Sequence, residues 1–529
     1  MSIICGAGTT RACLVATFCL TTFTFGAHLL WAAELPARIK SSVTYYLDSD
    51  GDDRHPGTAP TAAWKTIERA NQAALHAGDS ILFAGGQTFK GTLHLAREST
   101  GSRDAPIVLS SSGTARAPID AGAGDGLDLD GCAFVTIKDL DFHGCGRKDG
   151  SDGSGIRLNS TRDVIIDEVS VSGFRLAGIQ TSGDTATRLG HVSATDNGFA
   201  GIAAGDGPHP VRDLYVGYCT ADNNPGDPKN KTNHSGNGIL ACGVQDGLIE
   251  YCEASNNGWD MPRKGNGPVG IWGCESDRLV IQHCISHDNK SPGDDGGGFD
   301  FDGGVTHSVL QYNLSYHNAG CGYLLCQYPG APPWKDNVIR YNISFEDGRQ
   351  NLHAGLGLWL GAGHFSDAAI YNNTIVNAAH AVATDGDVPG MTYRNNIFVA
   401  GGDVLSGNFD HSRFEHNLWW PTGKGVFHRD GKTVHATLAD WENATRQEMI
   451  DGQTPAVFAD PMLVMPGKED RLPADPAKLA EMRFFHLREG SPAHGSGFVV
   501  QDNGSADLSG QRLKEKAKPS VGAYEGTAK

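Results

Sequence analysis

Aromatic residues are scarce, at 8% of 529 positions, and after residue 33 no apolar run approaches the length of a membrane span. That scarcity, set against 70 glycines, excludes a chain of long helices and points to many tight turns and short strands. Basic residues are also in deficit. Lys and Arg number 43 against 61 Asp and Glu, a net charge of −18, which argues against nucleic acid or an anionic membrane surface as partner. A long polyanionic substrate is likewise disfavoured unless local basic residues or cations offset the field. There is no nucleophile elbow, phosphate-binding loop or zinc-binding helix, and the cysteines lack close-paired metal spacing.

What is present begins with an export signal. Arg11 precedes the apolar run at 12–33, and no acidic residue occurs before Glu34. Residues 1–33 are therefore expected to be a signal peptide with cleavage near Ala32, Ala33 or Ala37, an uncleaved anchor being the alternative. The expected location is secreted or periplasmic. Cys5, Cys13 and Cys19 fall in this segment and nine cysteines remain. A disulfide framework is the usual reading for a secreted chain, but the repeat described next makes several of them small buried residues stacked in columns.

From about 121 to 420 the chain repeats one coil: an apolar strand, a polar turn residue, a short strand, a variable loop, then Gly followed by an apolar residue. The turn column is read as Asp139, Glu168, His191, Cys219, Cys252, Cys284, Asn313, Asn342, Asn373, Asn396 and Asn417, spaced 21 to 33 residues apart. Such a period describes a solenoid whose coils bury their apolar residues only by stacking. The five asparagines form an expected ladder, because an amide can both donate and accept along a stack. The sequons at Asn313 and Asn342 lie in that ladder, where a glycan could not fit.

A second column is the Gly-apolar strand, GLDLD (126–130) through GFDFD (298–302) to GLWLG (357–361). Side chains alternate along a strand, so its outward positions are Asp128, Arg157, Gln180, Ala203, Leu240, Trp272, Asp300, Leu324 and Trp359. The longest loops (223–237, 256–269 and 287–297) all precede this strand, so a groove is expected over it.

Residues 43–120 contain YYLDSDGDD, GTAP, AWKTI, AGDSILFAGGQTFKGTL and APIVLSSSG, with helical signals over 66–75. In these pieces the segment resembles the N-terminal cap of secreted right-handed parallel β-helix proteins of the pectate-lyase-like superfamily. DPMLVMPG, FHLREGSPAHGSG and KPSVGAYEG resemble the closing segment of such proteins, and 435–449 reads as a helix. The resemblance implies an all-β, single-stranded right-handed parallel β-helix, divided as cap and first coils at 34–120, β-helix at 121–420 and C-terminal cap region at 421–529. A monomer is expected. The fold alone does not define an activity.

The candidate chemistry lies at 294–302. Asp300 and Asp302 share one strand face beside Asp294 and Asp295. Paired carboxyls of this kind serve as acid and base in glycoside hydrolysis, each raising the other's pKa. Asp300, Asp302 and Asp295 are the candidate catalytic residues. The competing reading of Asp302-Gly303-Gly304 is a turn. Trp272 and Trp359, with the less certain Trp334, are candidates for stacking on sugar rings, with burial beneath a loop as the alternative. A lyase or epimerase would need cations and a base, for which Arg263, Lys264 and His287, with Lys290, Arg349, His317 and His353, are available on loops placed beside the groove. GDD at 293–295 is similar to a motif of polygalacturonase-type β-helix hydrolases. The companion Gly-His-Gly and Arg-Ile-Lys are absent, so those roles do not carry over. No cofactor is required by this reading, although calcium could suit the acidic cluster. The expected function is a polysaccharide-acting enzyme with hydrolysis favoured over elimination. A non-catalytic carbohydrate-binding or adhesion solenoid is the rival.

Overall fold

A computed structural model describes residues 42–205, 209–450, 452–514 and 517–526. The expected signal segment, with Cys5, Cys13 and Cys19, lies outside the described residues. Alternating apolar and polar residues in runs of two to seven make strands. These assemble into three sheets of 14 strands each, in which every strand pairs with its equivalent in the next coil. One coil shows the arrangement. Asp277–Gln282 lies in the first sheet, Ile285–His287 in the third and Gly297–Phe301 in the second, before Val309–Gln311 returns to the first. Pairing is parallel throughout the three sheets, except that His428–Asp430 meets Thr433–His435 antiparallel.

The interior is a stack of like on like. Along the second sheet Leu127, Ile156, Ile179, Ile202, Ile239, Ile271, Phe299, Tyr323 and Leu356 occupy one register and are buried. The rings of Phe299 and Tyr323 stack at 5.3 Å.

The turn between first and third sheets corrects the sequence reading in its first three coils. Asp139, Glu168 and His191 hold the left-handed backbone of the turn itself, a position taken later by Tyr218, Tyr251, His283 and Tyr312. The column containing Cys219, Cys252, Cys284 and Asn313 is therefore continued backward by Leu140, Val169 and Val192, all buried. A polar residue was expected at the turn and one was found, one place too early. The displaced position forms an aromatic row of its own: His191, Tyr218, Tyr251, His283 and Tyr312 stack at successive ring distances of 5.4, 5.0, 5.0 and 5.0 Å.

The asparagine ladder is present. Each side-chain N–H of Asn313, Asn342, Asn373 and Asn396 donates to the Oδ1 of the next member, at 3.0 to 3.1 Å, and Asn417 donates to Glu448 at 2.8 Å. A second ladder runs beside it where the third sheet ends: Asn197, Asn224, Asn257, Asn289 and Asn318, closing on Asp347.

Cys219, Cys252 and Cys284 are buried free thiols in one column, the Cys252 N–H donating to Sγ of Cys284. Cys242 and Cys274, register partners in adjacent coils, form a disulfide that the spacing did not reveal. After denaturation without reductant, alkylation should label Cys219, Cys252 and Cys284. Cys242 and Cys274 should be recovered as one cross-linked peptide, and a cross-link involving any of the three stacked thiols would contradict the column.

The two helices are shorter than expected. The first covers Ile67–Ala70, capped by Thr66, and the side chain of Asn71 at its end bonds the backbone of Thr92 and His94. The second covers Leu438–Thr445 and begins in a reciprocal capping box of Thr437 and Asp440.

Candidate functional site

On the outer face of the second sheet lies a cavity of about 960 Å³, floored by the strands Asn237–Cys242, Val269–Cys274, Gly297–Phe301 and Tyr323–Gln327 and overhung by the long loops. Leu240, Trp272, Asp300 and Leu324 are successive register partners on this floor. The outward column through these coils is as expected.

It fails at the next coil. Tyr323 pairs with Leu356, so the glycine equivalent to Gly322 is Gly355 and the Asp300 row continues to Gly357, not Trp359. Two glycines two residues apart made both registers plausible by pattern. Packing selects Gly355, whose missing side chain lets Ser344 approach, as Gly322 does with the same serine. Trp359 pairs with Cys326 and still lines the cavity, one row over. Trp272 lines it too, but only 3% of its surface is exposed, and its Nε1–H is bound to Asn237. Trp334 is fully buried and donates to the Phe301 carbonyl.

Asp295, Asp300 and Asp302 converge on the cavity. Asp300 sits in its floor, 3% exposed, with Oδ1 lacking any hydrogen-bond partner. Burial, then the charges of Asp302 and Asp295, push its carboxyl well above the ordinary range. Asp295 and Asp302 are half-buried and open into the space. Burial is the main force raising Asp295 to about 7, with Asp302 and Asp294 adding repulsion and the Gly267 N–H (2.8 Å) and Arg263 opposing it. Asp302 is raised by burial and Glu275 but held down by hydrogen bonds from the Cys326 thiol and the Gly303 N–H (2.7 Å).

Because the folded-state pKa of Asp300 is raised, its burial penalises the fold more as pH rises above the unfolded value of about 3.9. Asp300→Asn should therefore melt higher than the wild type at pH 8, with the difference shrinking toward pH 4. Equal melting temperatures at both pH values would show Asp300 to be harmlessly accommodated as an ion.

The basic candidates do not enter the cavity. No lysine or arginine lines it among the described residues. The Arg263 guanidinium donates to the Asn266 carbonyl, and Lys264 is exposed. His287 is not on a groove loop at all. It lies in the third sheet, stacked on Tyr316 at 4.5 Å, and its partners Asp288 and Glu253 outweigh burial to raise it to about 9. In the strand Ile285–His287, Ser286 turns into the coil to bond the Gly298 carbonyl, so the His287 ring shares the opposite face with Ile285.

The sequence reading missed His234, Glu275, Tyr328 and Asp385, all of which line the cavity. Tyr328 donates to Glu275 at 2.6 Å across coils. These residues stand in loops or at strand ends, where no repeat marks direction. Among the described residues no group of three or more His, Cys, Asp or Glu side chains is arranged to hold a metal ion.

A family model described as a right-handed β-helix region matches residues 229–418, which span the cavity floor. The chain folds as a right-handed parallel β-helix. Lacto-N-biosidase of Bifidobacterium longum subsp. longum is 32% identical over 112 residues, 21% of this chain and 7% of that protein. Alpha-1,3-galactosidase A of Akkermansia muciniphila is 32% identical over 84 residues, 15% of this chain and 14% of that protein. The chain thus matches only a small part of each curated relative. A solved GH136 lacto-N-biosidase from Eubacterium ramulus superposes with a TM-score of 0.50 at 15% identity, covering 73% of this chain and 68% of that chain, a likeness of fold.

Proposed function

We propose that this β-helix is a glycoside hydrolase acting on a neutral glycan, exported to a secreted or periplasmic location. The observation that carries the reading is a cavity holding Asp295, Asp300 and Asp302 with no lysine or arginine in its lining among the described residues. Elimination beside a uronate carboxylate needs cations to hold the substrate and the developing negative charge, and this wall offers carboxyls instead. An oxocarbenium-like transition state carries positive charge, which carboxylates stabilise.

Asp295, near 7, is suited to protonate a leaving oxygen at neutral pH. Asp302 accepts two hydrogen bonds that favour its ionised form and is the base or nucleophile. Asp300, beneath both, is kept neutral by its burial and by the charges of Asp302 and Asp295. Trp359 supplies a half-buried aromatic wall. The sugar ring sits between the two accessible carboxyls. The glycosidase names of the curated relatives support the same class.

A panel of neutral oligosaccharides, aryl glycosides and uronate polymers, assayed for reducing ends and for ultraviolet absorbance, tests this. Reducing ends without absorbance from a neutral substrate is the expected result. An unsaturated, absorbing product from a uronate would replace hydrolysis by elimination, and binding without turnover would leave a carbohydrate-binding solenoid.

A further inference from the structure

His234 stands on the loop that overhangs the cavity, and its hydrogen-bonding state is fixed by a chain of three side chains. The chain starts at Trp272, whose indole nitrogen can only donate. Its Nε1–H lies 3.2 Å from Oδ1 of Asn237, so that end of the amide must be the oxygen. The amide nitrogen of Asn237 then faces Nδ1 of His234 at 3.0 Å, while also donating to the Phe199 carbonyl at 3.1 Å. An N–H pointing at Nδ1 requires that nitrogen to be the acceptor, which leaves the imidazole proton on Nε2. The ring is held edge-on against Trp272 at 5.0 Å and tilted over Phe199 at 5.7 Å, so its orientation is fixed as well as its tautomer. Nε2 has no acceptor among the described residues, and the side chain lines the cavity that holds Asp295, Asp300 and Asp302.

We propose that His234 is a substrate-binding residue whose Nε2–H donates to a hydroxyl or carbonyl oxygen of the bound glycan, with Asn237 and Trp272 as positioning residues that lock its tautomer. This rests on the hydrolase reading for the identity of the ligand, but the tautomer lock stands without it. Burial, aided by the charge of Arg263, lowers the imidazole to about 4, so the donor is neutral at neutral pH. Ionised carboxylates can only accept. Beside Asp302, the carboxyl assigned as base or nucleophile, His234 is a neutral donor held in one orientation, and it adds no cation that would pair with Asp295.

The test uses the full mature chain with histidine-selective ¹⁵N labelling, His234 being assigned by its loss in His234→Gln. In the free wild type, His234 should show a protonated Nε2 and an unprotonated acceptor Nδ1. Asn237→Asp removes the amide donor and presents a carboxylate, so Nδ1 should become protonated. Trp272→Phe removes the indole donor and should leave a mixture of tautomers.

On the aryl glycoside or oligosaccharide that the wild type cleaves, His234→Phe should raise KM about tenfold with a smaller change in kcat, as for the loss of one hydrogen bond. His234→Gln, which keeps an N–H near the Nε2 position, should restore much of the binding. Thermal melting of each variant separates misfolding from lost contact. If the wild type cleaves nothing, glycan-array binding by wild type and His234→Phe takes the place of KM, so failure of the hydrolase reading is distinguished from failure of this one. A wild-type His234 protonated at Nδ1 overturns the lock. A folded His234→Phe that binds or turns over glycan as well as the wild type overturns the binding role.

Discussion

Asp302→Asn and Asp295→Asn should each lower kcat by on the order of a hundred- to ten-thousand-fold while the protein still folds, the range expected when one partner of an acid–base pair is removed. Neither change alters side-chain volume much, and both relieve repulsion within a cluster where burial already raises every member. The two losses should differ in kind. With Asp295 as acid, wild-type activity should decline as pH rises through about 7, and Asp295→Asn should lose that limb. It should also recover rate on aryl glycosides whose leaving group needs no proton. Asp302→Asn should not recover in this way, because the missing function is on the opposite side of the reacting carbon. Residues acting as a unit are strongly non-additive, so the double variant should be little worse than either single one. On a substrate whose leaving group needs a proton, retention of more than a tenth of the wild-type rate by either variant would remove that carboxyl from the chemistry.

Asn342→Leu should destabilise the fold by on the order of 4 kcal/mol, measured as a shift in denaturant midpoint against the wild type. The side chains are close in volume, so no cavity is made and the effect isolates the ladder. Asn342 accepts from the backbone N–H and the side-chain N–H of Asn313 and donates to the Leu310 carbonyl and to Asn373. Leucine leaves the Asn313 backbone N–H and the Leu310 carbonyl buried without these partners, each at a cost of about 1–3 kcal/mol, and weakens two further bonds. Cys252→Ala, in the same column ninety positions earlier, is the comparison. Its thiol makes only long contacts to the Val216 and Glu250 carbonyls, at 3.6 and 3.3 Å, and its removal should cost about 1 kcal/mol. Equal effects from the two would mean that the column works by packing alone.

The contrast between those positions also explains what could be read from the sequence. The β-helix was legible because stacking makes every coil repeat the same decision: the inward residues from Leu127 to Leu356 and the ladder from Asn313 to Asn417 each appear once per turn of chain. Asp300 was legible for the same reason, since its neighbours Phe299 and Phe301 fix the strand face. Register slipped where two residues satisfied the pattern equally, Gly355 against Gly357, and where a polar residue stood in the turn rather than beneath it, as at Glu168 and His191. The second ladder carries a signal in its recurring Asn after the third-sheet strand, but Asp347 and the varied residues around it obscure the period. His234 was out of reach. It belongs to a loop, and its direction is set by Asn237 and by Trp272, a residue in the following coil. His287 was misplaced by the opposite error, a strand residue read as part of a loop.

The two ladders have an orientation as well as a spacing. In both, each side-chain N–H points to the next coil toward the C-terminus, so five amide dipoles in each row align head to tail. Such a vector needs a terminus that accepts without having to donate onward. Both rows end on an acid: Asp347, raised by burial to about 6, and Glu448, raised by burial to about 8, which also accepts from Trp419. At Asp347 the second oxygen accepts from the Ser344 hydroxyl, a bond that an amide nitrogen in its place could not accept. The carboxyl therefore works as a stop mark, and its position states how many coils the row may run. A lengthened version of this protein would be written by inserting asparagine-bearing coils ahead of the acid, never behind it.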